Sequence, residues 1–356
     1  MTNPIKPKLV VVKIGTTSLV SADGEPDRAK LKGLTKQIAA IHRQGVMPVI
    51  VSSGAIAAGL APLRMKKRPT DMPSLQAAAA VGQTRLMDLY ADLLKPVPVG
   101  QVLLTQQDIV NRRSYLNARN TLKRLIDLGC IPIVNENDTV AVEEIRYGDN
   151  DRLAALVAHI VQADLLVMLS DVEGLYDGDP KRPGAKLIGL VEQIDTDILR
   201  YAKGGSALGS GGMASKLEAA RMAAFSGISA VIASSDRRDA LIDIVAGKQV
   251  GTVFAARPSK VQARKLWIAW APAARGRIIV DPGAVDALTH GKKSLLAAGV
   301  RSVEGSFAAG DAVEVTNDDG VVFAKGLVGY DSHILSDMAG KSGGFEVINR
   351  DRLVVL

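Results

Sequence analysis

The stretch "KLVVVKIGTTS" (residues 8–18) sets the fold class of this chain. Its apolar part is a near-continuous run of Val, Leu and Ile rather than an alternation of apolar and polar residues. Runs of this kind are typical of parallel strands that are buried on both faces of a sheet. The run ends in Lys13 and a short polar loop. We therefore predict a buried strand with a cationic side chain at its carboxyl end.

Further segments along the chain repeat this pattern. Strand-like apolar runs occur at 47–53, 130–136, 164–170 and 228–234. Helical patterns separate them at 28–45, 74–94, 117–129, 152–162 and 216–227. An alternation of strands and helices predicts a doubly wound α/β fold with a mainly parallel sheet. We assign residues 1–255 to this first domain.

The sequence changes character after residue 255. Residues 255–277 contain six Lys or Arg and no Asp or Glu, which indicates a basic linker over 256–276. Short strands and glycine turns follow at close spacing, and they predict a small β-rich, barrel-like domain over 277–356. A chain of 356 residues is long enough for two domains, because single cores stop growing at about 250–300 residues.

Charge and cysteine content exclude several classes of protein. The net charge is +7, but from residue 277 onward 8 Lys+Arg and 11 Asp+Glu give −3, so the first 276 residues carry +10. Anionic small molecules are then as good a partner as RNA. The single cysteine, Cys130, excludes an internal disulfide and a cysteine-based zinc site, and its apolar surroundings predict a packing role.

There is no apolar run of about 18 residues and no signal-peptide layout, so we expect a cytoplasmic protein without a membrane partner.

Polar residues follow the predicted strands at their carboxyl ends. They are Lys13 with its polar loop, residues 52–55 ("SSGA"), residues 135–138 ("NEND") and residues 170–171 ("SD"). Ligands of open α/β sheets bind beyond this edge. The shared position predicts a binding site there, although each group alone is a weak signal.

Residues 135–151, "NENDTVAVEEIRYGDND", are unusually acidic. They hold six carboxylates and one cation, Arg146, so solvent, a metal or a cationic ligand must offset their mutual repulsion. A solvated loop would explain the composition. Its position directly after a predicted buried strand favours a ligand-binding role instead.

A glycine-rich segment, residues 204–216, predicts an anion site. It contains five glycines and ends in Lys216 before a helical pattern. Glycines let backbone N–H groups approach an anion, and a helix N-terminus favours negative charge. It is not a Walker A loop, since Ser215 precedes the lysine and Leu217 follows it. The first strand likewise lacks the G-x-G-x-x-G of dinucleotide binders.

In chain order, several motifs resemble those of the glutamate 5-kinases, a branch of the amino acid kinase family. They include "VVKIGTTSLV" (11–20), "VSSGAIAAG" (51–59), "PIVNENDTVA" (132–141), "GDNDRLAALVA" (148–158), "VMLSDVEGLY" (167–176) and "GSGGMASKLEAA" (209–220). The segment from about 277 resembles a PUA domain. This chain has Ser52 and Ser170 where the family commonly has Thr, and these are small-for-small changes.

The resemblance implies transfer of the γ-phosphoryl group of ATP to the side-chain carboxylate of L-glutamate, the first step of proline biosynthesis. It implies ATP and Mg²⁺ as cofactors, feedback inhibition by proline, a glutamyl phosphate reductase as functional partner, and a homo-oligomer (dimer or tetramer). A carboxylate nucleophile needs no general base. We expect magnesium to be held mainly by phosphates, since no dedicated metal site is visible.

The resemblance also assigns the site residues. Lys13 and Lys216 would be catalytic, with Asp151 orienting both. Glutamate would bind to Ser53, Asp138 and Asn150, where Asp138 suits the α-ammonium and Asn150 can donate to a carboxylate. The nucleotide would contact Lys13, Ser170, Asp171, Ser210, Gly211, Gly212, Met213, Ala214, Ser215 and Lys216.

Three alternatives stay open at this level. A sister kinase of the same fold would act on another acid, for which Asp138 would have little use if the acid lacks an α-ammonium. RNA binding is a weaker alternative, because nucleic-acid binders need clustered Lys and Arg and the predicted tail is net acidic. Glu143 and Glu144 would either face solvent or take part in proline inhibition.

Overall fold

In the computed structural model, the described residues are 6–21, 25–140, 150–180, 182, 184–201, 212–257, 265, 268, 274–291 and 293–356. The chain forms two compact units, Met1–Lys260 and Val261–Leu356. Most of the linker predicted over 256–276 lies outside the described residues, so that boundary stays a prediction. No helix among the described residues is long and apolar enough to cross a membrane.

The first unit is built on eight strands and nine helices among its described residues. The strands are β1 (Leu9–Ile14), β2 (Met47–Val51), β3 (Val99–Leu104), β4 (Ile131–Glu136), β5 (Leu165–Ser170), β6 (Leu190–Val191), β7 (Ser229–Ser234) and β8 (Thr252–Phe254). The helices are α1 (Arg28–Arg43), α2 (Ala55–Leu60), α3 (Met72–Leu93), α4 (Gln106–Val110), α5 (Arg112–Asp127), α6 (Asn150–Val161), α7 (Thr196–Tyr201), α8 (Met213–Phe225) and α9 (Ala240–Val245).

The eight strands form one sheet in the order β3-β4-β2-β1-β5-β7-β8-β6. All neighbours are parallel except β7 and β8, which are antiparallel. Every residue of β5 is buried, and so are all residues of β1 except its first. The continuous apolar runs therefore belong to central strands that are covered on both faces, as predicted. The prediction of a doubly wound, mainly parallel fold is confirmed.

Several elements of this unit differ from the sequence prediction, among them β3 and α5. Strand β3 was not predicted as a strand, and it forms one edge of the sheet with partly exposed residues. Helix α5 begins at Arg112 rather than at 117, because the Asn111 side chain accepts hydrogen bonds from the N–H groups of Arg113 and Ser114. A cap of this kind fixes where a helix begins.

The second unit contains seven strands and two helices among its described residues. The strands are β9 (Gly276–Val280), β10 (Leu295–Leu296), β11 (Val300–Gly305), β12 (Ala312–Thr316), β13 (Val322–Leu327), β14 (Glu346–Ile348) and β15 (Leu353–Val355), and the helices are α10 (Pro282–Thr289) and α11 (Ser332–Met338). Five strands form a sheet in the order β11-β9-β12-β13-β15, and β10 pairs with β14. The β-rich character was predicted and the helices were not. Helix α10 is capped by Asp281, whose Oδ1 accepts from the N–H of Ala284 at 2.7 Å.

Candidate active site

The carboxyl ends of four strands meet along one edge of the first unit. In the sheet, β4, β2, β1 and β5 are consecutive and parallel, so the polar residues that follow them share this edge. The four groups that the sequence placed at strand ends are therefore neighbours. Helices α6 and α8 also begin here, since Asp151 in the first turn of α6 contacts Lys13 of β1, and Lys216 in the first turn of α8 contacts Asp151.

Three buried charges form the centre of the site. The Nζ atom of Lys13 lies 2.5 Å from Oδ1 of Asp151, and Nζ of Lys216 lies 3.2 Å from Oδ2 of the same carboxylate. The exposed fractions are 3% for Lys13, 4% for Lys216 and 0% for Asp151. One carboxylate between two ammonium groups leaves a net charge of +1 in a poorly solvated place. Such a centre attracts anions and holds both ammonium groups in fixed positions.

The start of α8 adds a hydroxyl to this centre. Ser215 donates from Oγ to Oδ2 of Asp151 at 3.0 Å and sits one residue before Lys216. Gly212 precedes the helix in an extended conformation. The exposed Gly212 and Ala214 and the half-buried Met213 lie on the same first turn. Two further predicted nucleotide-binding residues, Ser210 and Gly211, lie outside the described residues.

Strand β5 ends in a buried serine beside an exposed aspartate. Ser170 is 5% exposed and its Oγ donates to Oδ1 of Asp171 at 2.9 Å. Because β5 is the neighbour of β1 in the sheet, this pair lies on the side of Lys13 away from β2. The site thus has two flanks, one at β5 and one at β2 and β4.

On the second flank, Asn150 is held by its amide nitrogen. Three acceptors lie within hydrogen-bond distance of its two N–H groups: the backbone oxygen of Ser52 at 2.5 Å, Oγ of Ser53 at 3.0 Å and Oδ1 of Asn135 at 2.9 Å. The sequence led us to expect this nitrogen to donate to a ligand carboxylate. The structure differs, because three protein acceptors already surround it.

Two buried amides support Asn150: Asn135, which belongs to the predicted polar group 135–138, and Gln83, which was not predicted. Asn135 is 2% exposed and Gln83, on α3, is 8% exposed. Nδ2 of Asn135 donates to Oε1 of Gln83 at 2.7 Å. A signal for Gln83 was present in the sequence, since it lies four residues after Ala79 and three before Leu86 on the buried stripe of α3. A polar residue on an apolar stripe requires a partner.

A hydroxyl pair supports the same flank from α3. Oγ of Ser52 and the hydroxyl of Tyr90 are 3.0 Å apart, and both residues are buried. Burial raises the pKa of Tyr90 to about 12, and the hydrogen bond with Ser52 opposes the shift. The tyrosine is therefore a neutral hydrogen-bonding group at every physiological pH.

The acidic residues at the end of β4 are poorly solvated. Burial raises the pKa of Asp138 to about 6, although the Arg68 guanidinium opposes the shift. Burial also raises the pKa of Glu136 to about 7, with a further contribution from the charge of Asp138. Two carboxyl groups in this state form a place where a cation would be stabilised. Glu143 and Glu144, in the same acidic stretch, lie outside the described residues.

Comparison with known proteins places both units in families. Residues 8–234 match the amino acid kinase family and residues 276–347 match the PUA domain. The chain is 50% identical over 338 residues to a glutamate 5-kinase of Salinispora arenicola, covering 94% of this chain and 90% of the relative. It is 44% identical over 363 residues to a glutamate 5-kinase of Syntrophotalea carbinolica, covering 98% and 97%.

A solved structure has the same fold in the first unit. Carbamate kinase from Giardia lamblia bound to AMP-PNP superposes with a TM-score of 0.52 at 17% identity, covering 70% of this chain and 98% of the other. At that identity the likeness establishes the fold and nothing more. The sequence relatives at 44–50% identity over nearly the whole chain establish more: this chain belongs to the glutamate 5-kinases of the amino acid kinase family, with a C-terminal PUA domain.

Proposed function

We propose that this protein transfers the γ-phosphoryl group of ATP to the side-chain carboxylate of L-glutamate and forms L-glutamyl 5-phosphate. The observation that carries the proposal is the buried cluster of Lys13, Asp151 and Lys216, with its net positive charge beside an amide-lined flank. Phosphoryl transfer needs in-line positioning and cations against the charge on the transferring oxygens. Family membership supplies the substrate class.

In the proposed mechanism the two lysines stabilise the transferring phosphoryl group from two elements. Lys13 reaches the phosphates from β1, and Lys216 reaches the transition state from the first turn of α8. Asp151 holds both ammonium groups and takes no proton. The glutamate side chain is already an anion at neutral pH, so none of the described residues has to act as a general base.

We assign the nucleotide to the flank beside β5. Ser170, Asp171 and the segment from Ser210 to Lys216 would surround it. The N-terminus of α8 would face the phosphates, because the aligned peptide dipoles of a helix give its N-terminus a partial positive charge.

Magnesium enters the proposal only as the counter-ion of ATP. The described residues contain no group of three His, Cys, Asp or Glu able to hold a metal, and Asp151 is already engaged by two lysines. These residues do not form a magnesium cage, so the ion would be held through phosphate oxygens.

Glutamate is assigned to the flank at β2 and β4. Asp138 would attract the α-ammonium, and Ser53 and Asn150 would fix the end of the substrate that carries the α-amino and α-carboxyl groups.

Proline, as the end product, would act as feedback inhibitor. The product is a labile acyl phosphate, so a reductase that consumes it would be the functional partner. We expect the protein to act as a homo-oligomer.

The test is an acceptor comparison with a chemical trap for acyl phosphate. Purified protein, Mg–ATP and hydroxylamine are incubated with L-glutamate, L-aspartate or N-acetyl-L-glutamate, and hydroxamate and ADP are measured. We expect equal amounts of both products with L-glutamate alone, and inhibition by proline. Turnover with a different acid would move the protein to a sister activity, and absence of turnover with all three would contradict the proposal.

A further inference from the structure

Gln83 lies in the second layer of the glutamate flank, on α3. It accepts a hydrogen bond from Asn135, which in turn accepts one from Asn150. We infer that Gln83 is a positioning residue that sets the affinity for the α-ammonium of the amino-acid substrate, acting through Asn135 and Asn150. This inference rests on the proposed function and assigns a role to a residue outside the reacting groups.

A backbone group fixes the orientation of Asn135. The N–H of Glu136 donates to Oδ1 of Asn135 at 2.9 Å, and a backbone N–H can only donate. Oδ1 must therefore face Glu136, which turns Nδ2 toward Gln83. Gln83 meets it with Oε1 at 2.7 Å. The side-chain oxygen of Gln83 is thus the acceptor that completes the hydrogen bonding of Asn135.

A second backbone group fixes the orientation of Asn150. The carbonyl oxygen of Ser52 can only accept, so the 2.5 Å contact turns Nδ2 of Asn150 into the protein. Ser53 and Asn135 offer two more acceptors to the same nitrogen. Among the described residues nothing donates to the side-chain oxygen, Oδ1, of Asn150. The group available to a ligand is therefore an acceptor, which suits an ammonium group and not a carboxylate.

The neighbourhood has the charge for an ammonium ligand. Glu136 follows Asn135 at the end of β4, and Asp138 begins the next short helical turn. The two carboxyl groups are close enough for the charge of Asp138 to raise the pKa of Glu136, and Asn150 is hydrogen-bonded to Asn135, the residue before Glu136. An isolated amide oxygen would be a weak attraction, but beside two carboxyl groups it completes the coordination of a –NH₃⁺ group, which has three donors.

Loss of the Gln83 side-chain oxygen would affect Asn150 through the hydrogen bonds of Asn135. Nδ2 of Asn135 would be left without the Gln83 acceptor in a buried place, which favours a shift of the Asn135 side chain toward another acceptor. The shift would lengthen the contact between Oδ1 of Asn135 and Nδ2 of Asn150. Asn150 would then lose one of the contacts that hold its oxygen toward the ligand.

Close helix packing keeps Gln83 in place. A Cβ atom on Gly82 would overlap the backbone oxygen of Ala55, and one on Gly59 would overlap the backbone oxygen of Ala78. Helices α2 and α3 can therefore approach closely only because both positions are glycine. The backbone beside Gln83 is thus fixed, which holds its Cα atom at a set position relative to α2.

The test compares Gln83→Leu with Gln83→Glu in the full chain. Leu removes the acceptor, whereas Glu keeps an oxygen at the same place. We expect Gln83→Leu to raise KM for L-glutamate about tenfold, with KM for ATP and kcat changed by less than about twofold. Gln83→Glu should keep KM for L-glutamate near the wild-type value.

Gln37→Leu is a matched control for burial. Gln37, on α1, is also 8% exposed, and its Oε1 accepts from the N–H of Leu241, on α9, at 2.9 Å. This variant also loses a buried acceptor, so its thermal midpoint should fall as in Gln83→Leu. Its KM for L-glutamate should stay unchanged.

Glutarate, which is glutamate without the α-ammonium, identifies the group that Gln83 serves. We expect kcat/KM for glutarate to be low in the wild type and equally low in Gln83→Leu, so that discrimination in favour of glutamate falls. Equal losses for both acids, loss of ATP affinity, or failure of Gln83→Glu to preserve KM would overturn the inference. Absence of glutamate turnover in the wild type would instead overturn the proposed function, and the role of Gln83 with it.

Discussion

Two neighbouring residues at the start of α6 belong to regions of opposite character. Asp151 lies in a cluster of full charges with Lys13 and Lys216, whereas Asn150 lies in a network of neutral amides and hydroxyls. Both regions are largely buried. The charged cluster can stabilise a developing charge, and the amide network can hold a small ligand in one orientation.

The difference follows from the cost of burial. Charges are buried only when they are paired, and removal of one partner leaves an uncompensated ion. Neutral amides cost less to bury and are satisfied by geometry. We therefore expect changes in the charged cluster to act on kcat and changes in the amide flank to act on KM for L-glutamate.

The largest effect is expected for Lys216→Ala. Removal of one cation that faces the transferring phosphoryl group should lower kcat about 100- to 1,000-fold, by analogy with loss of a single oxyanion donor. The rate of hydroxamate formation at saturating substrates measures it. Lys248→Ala, at an exposed lysine paired with Asp243, is the control and should retain full activity. A loss of less than about tenfold in Lys216→Ala would show that the cluster is not the catalytic centre.

A smaller effect on a different constant is expected for Asp138→Asn. The carboxylate proposed to meet the α-ammonium is replaced by a neutral group of the same shape. KM for L-glutamate should rise about 10- to 100-fold, since a charged hydrogen bond contributes about 1.5–3 kcal/mol. KM for ATP should not change. Initial rates over a matrix of both substrates measure the two constants, and a parallel rise in both would remove the distinction between the flanks.

The pH dependence of KM for L-glutamate tests the same difference between the two regions. The pKa of Asp138 is raised to about 6 and that of Glu136 to about 7, chiefly by burial. Below these values the carboxyl groups are protonated and attract an ammonium less, so KM for L-glutamate should rise as the pH falls from 8 to 5.5. Asp138→Asn should flatten this rise. A KM that is independent of pH over this range would contradict the assignment.

The stability of the substrate-free protein should change with pH in the opposite direction from its affinity for L-glutamate. Both folded-state pKa values lie above those of about 4 in an unfolded chain, so the native state binds more protons between these values. The contribution of these groups to stability is present below about pH 4 and is lost as the pH rises toward 7. Thermal midpoints of the wild type and Asp138→Asn across this range measure the contribution as a difference.

The smallest effect is expected for Tyr90→Phe. The variant removes one hydroxyl from a buried pair with Ser52, and Ser52 keeps a second acceptor, the backbone oxygen of Ser53. The free energy of unfolding should fall by about 1 kcal/mol, with kcat unchanged. Denaturant titration measures the loss. A tenfold fall in kcat would mean that the tyrosine belongs to the reacting groups.

Continuous apolar runs made the central strands predictable from sequence. The five predicted strands agree with the observed ones to within two residues at each end. Strand β3 was missed because an edge strand is exposed and lacks such a run. Helix α10 was missed because its Asp-Pro-Gly start reads equally well as a turn, and only the cap from Asp281 to Ala284 decides it.

The charged residues of the site were also predictable, because they lie at strand ends or in motifs. Lys13, Asp151 and Lys216 are far apart in the sequence and in contact in the structure. Gln83 is marked in the sequence only as a polar residue on the apolar stripe of α3, and its partner and the orientation of Asn150 were not predictable. They depend on which atom of an amide faces which backbone group, and that is fixed by packing between α3, β2 and β4 rather than by any local pattern.

The most direct test of the separation between the two regions is calorimetric titration of L-glutamate into the wild type, Lys216→Ala and Asp138→Asn. Lys216→Ala should bind L-glutamate within about twofold of the wild type, as independent sites do, while forming almost no hydroxamate. Asp138→Asn should bind it far more weakly. Equal loss of glutamate binding in both variants would contradict the account, because the charged cluster would then hold the substrate as well as transform it.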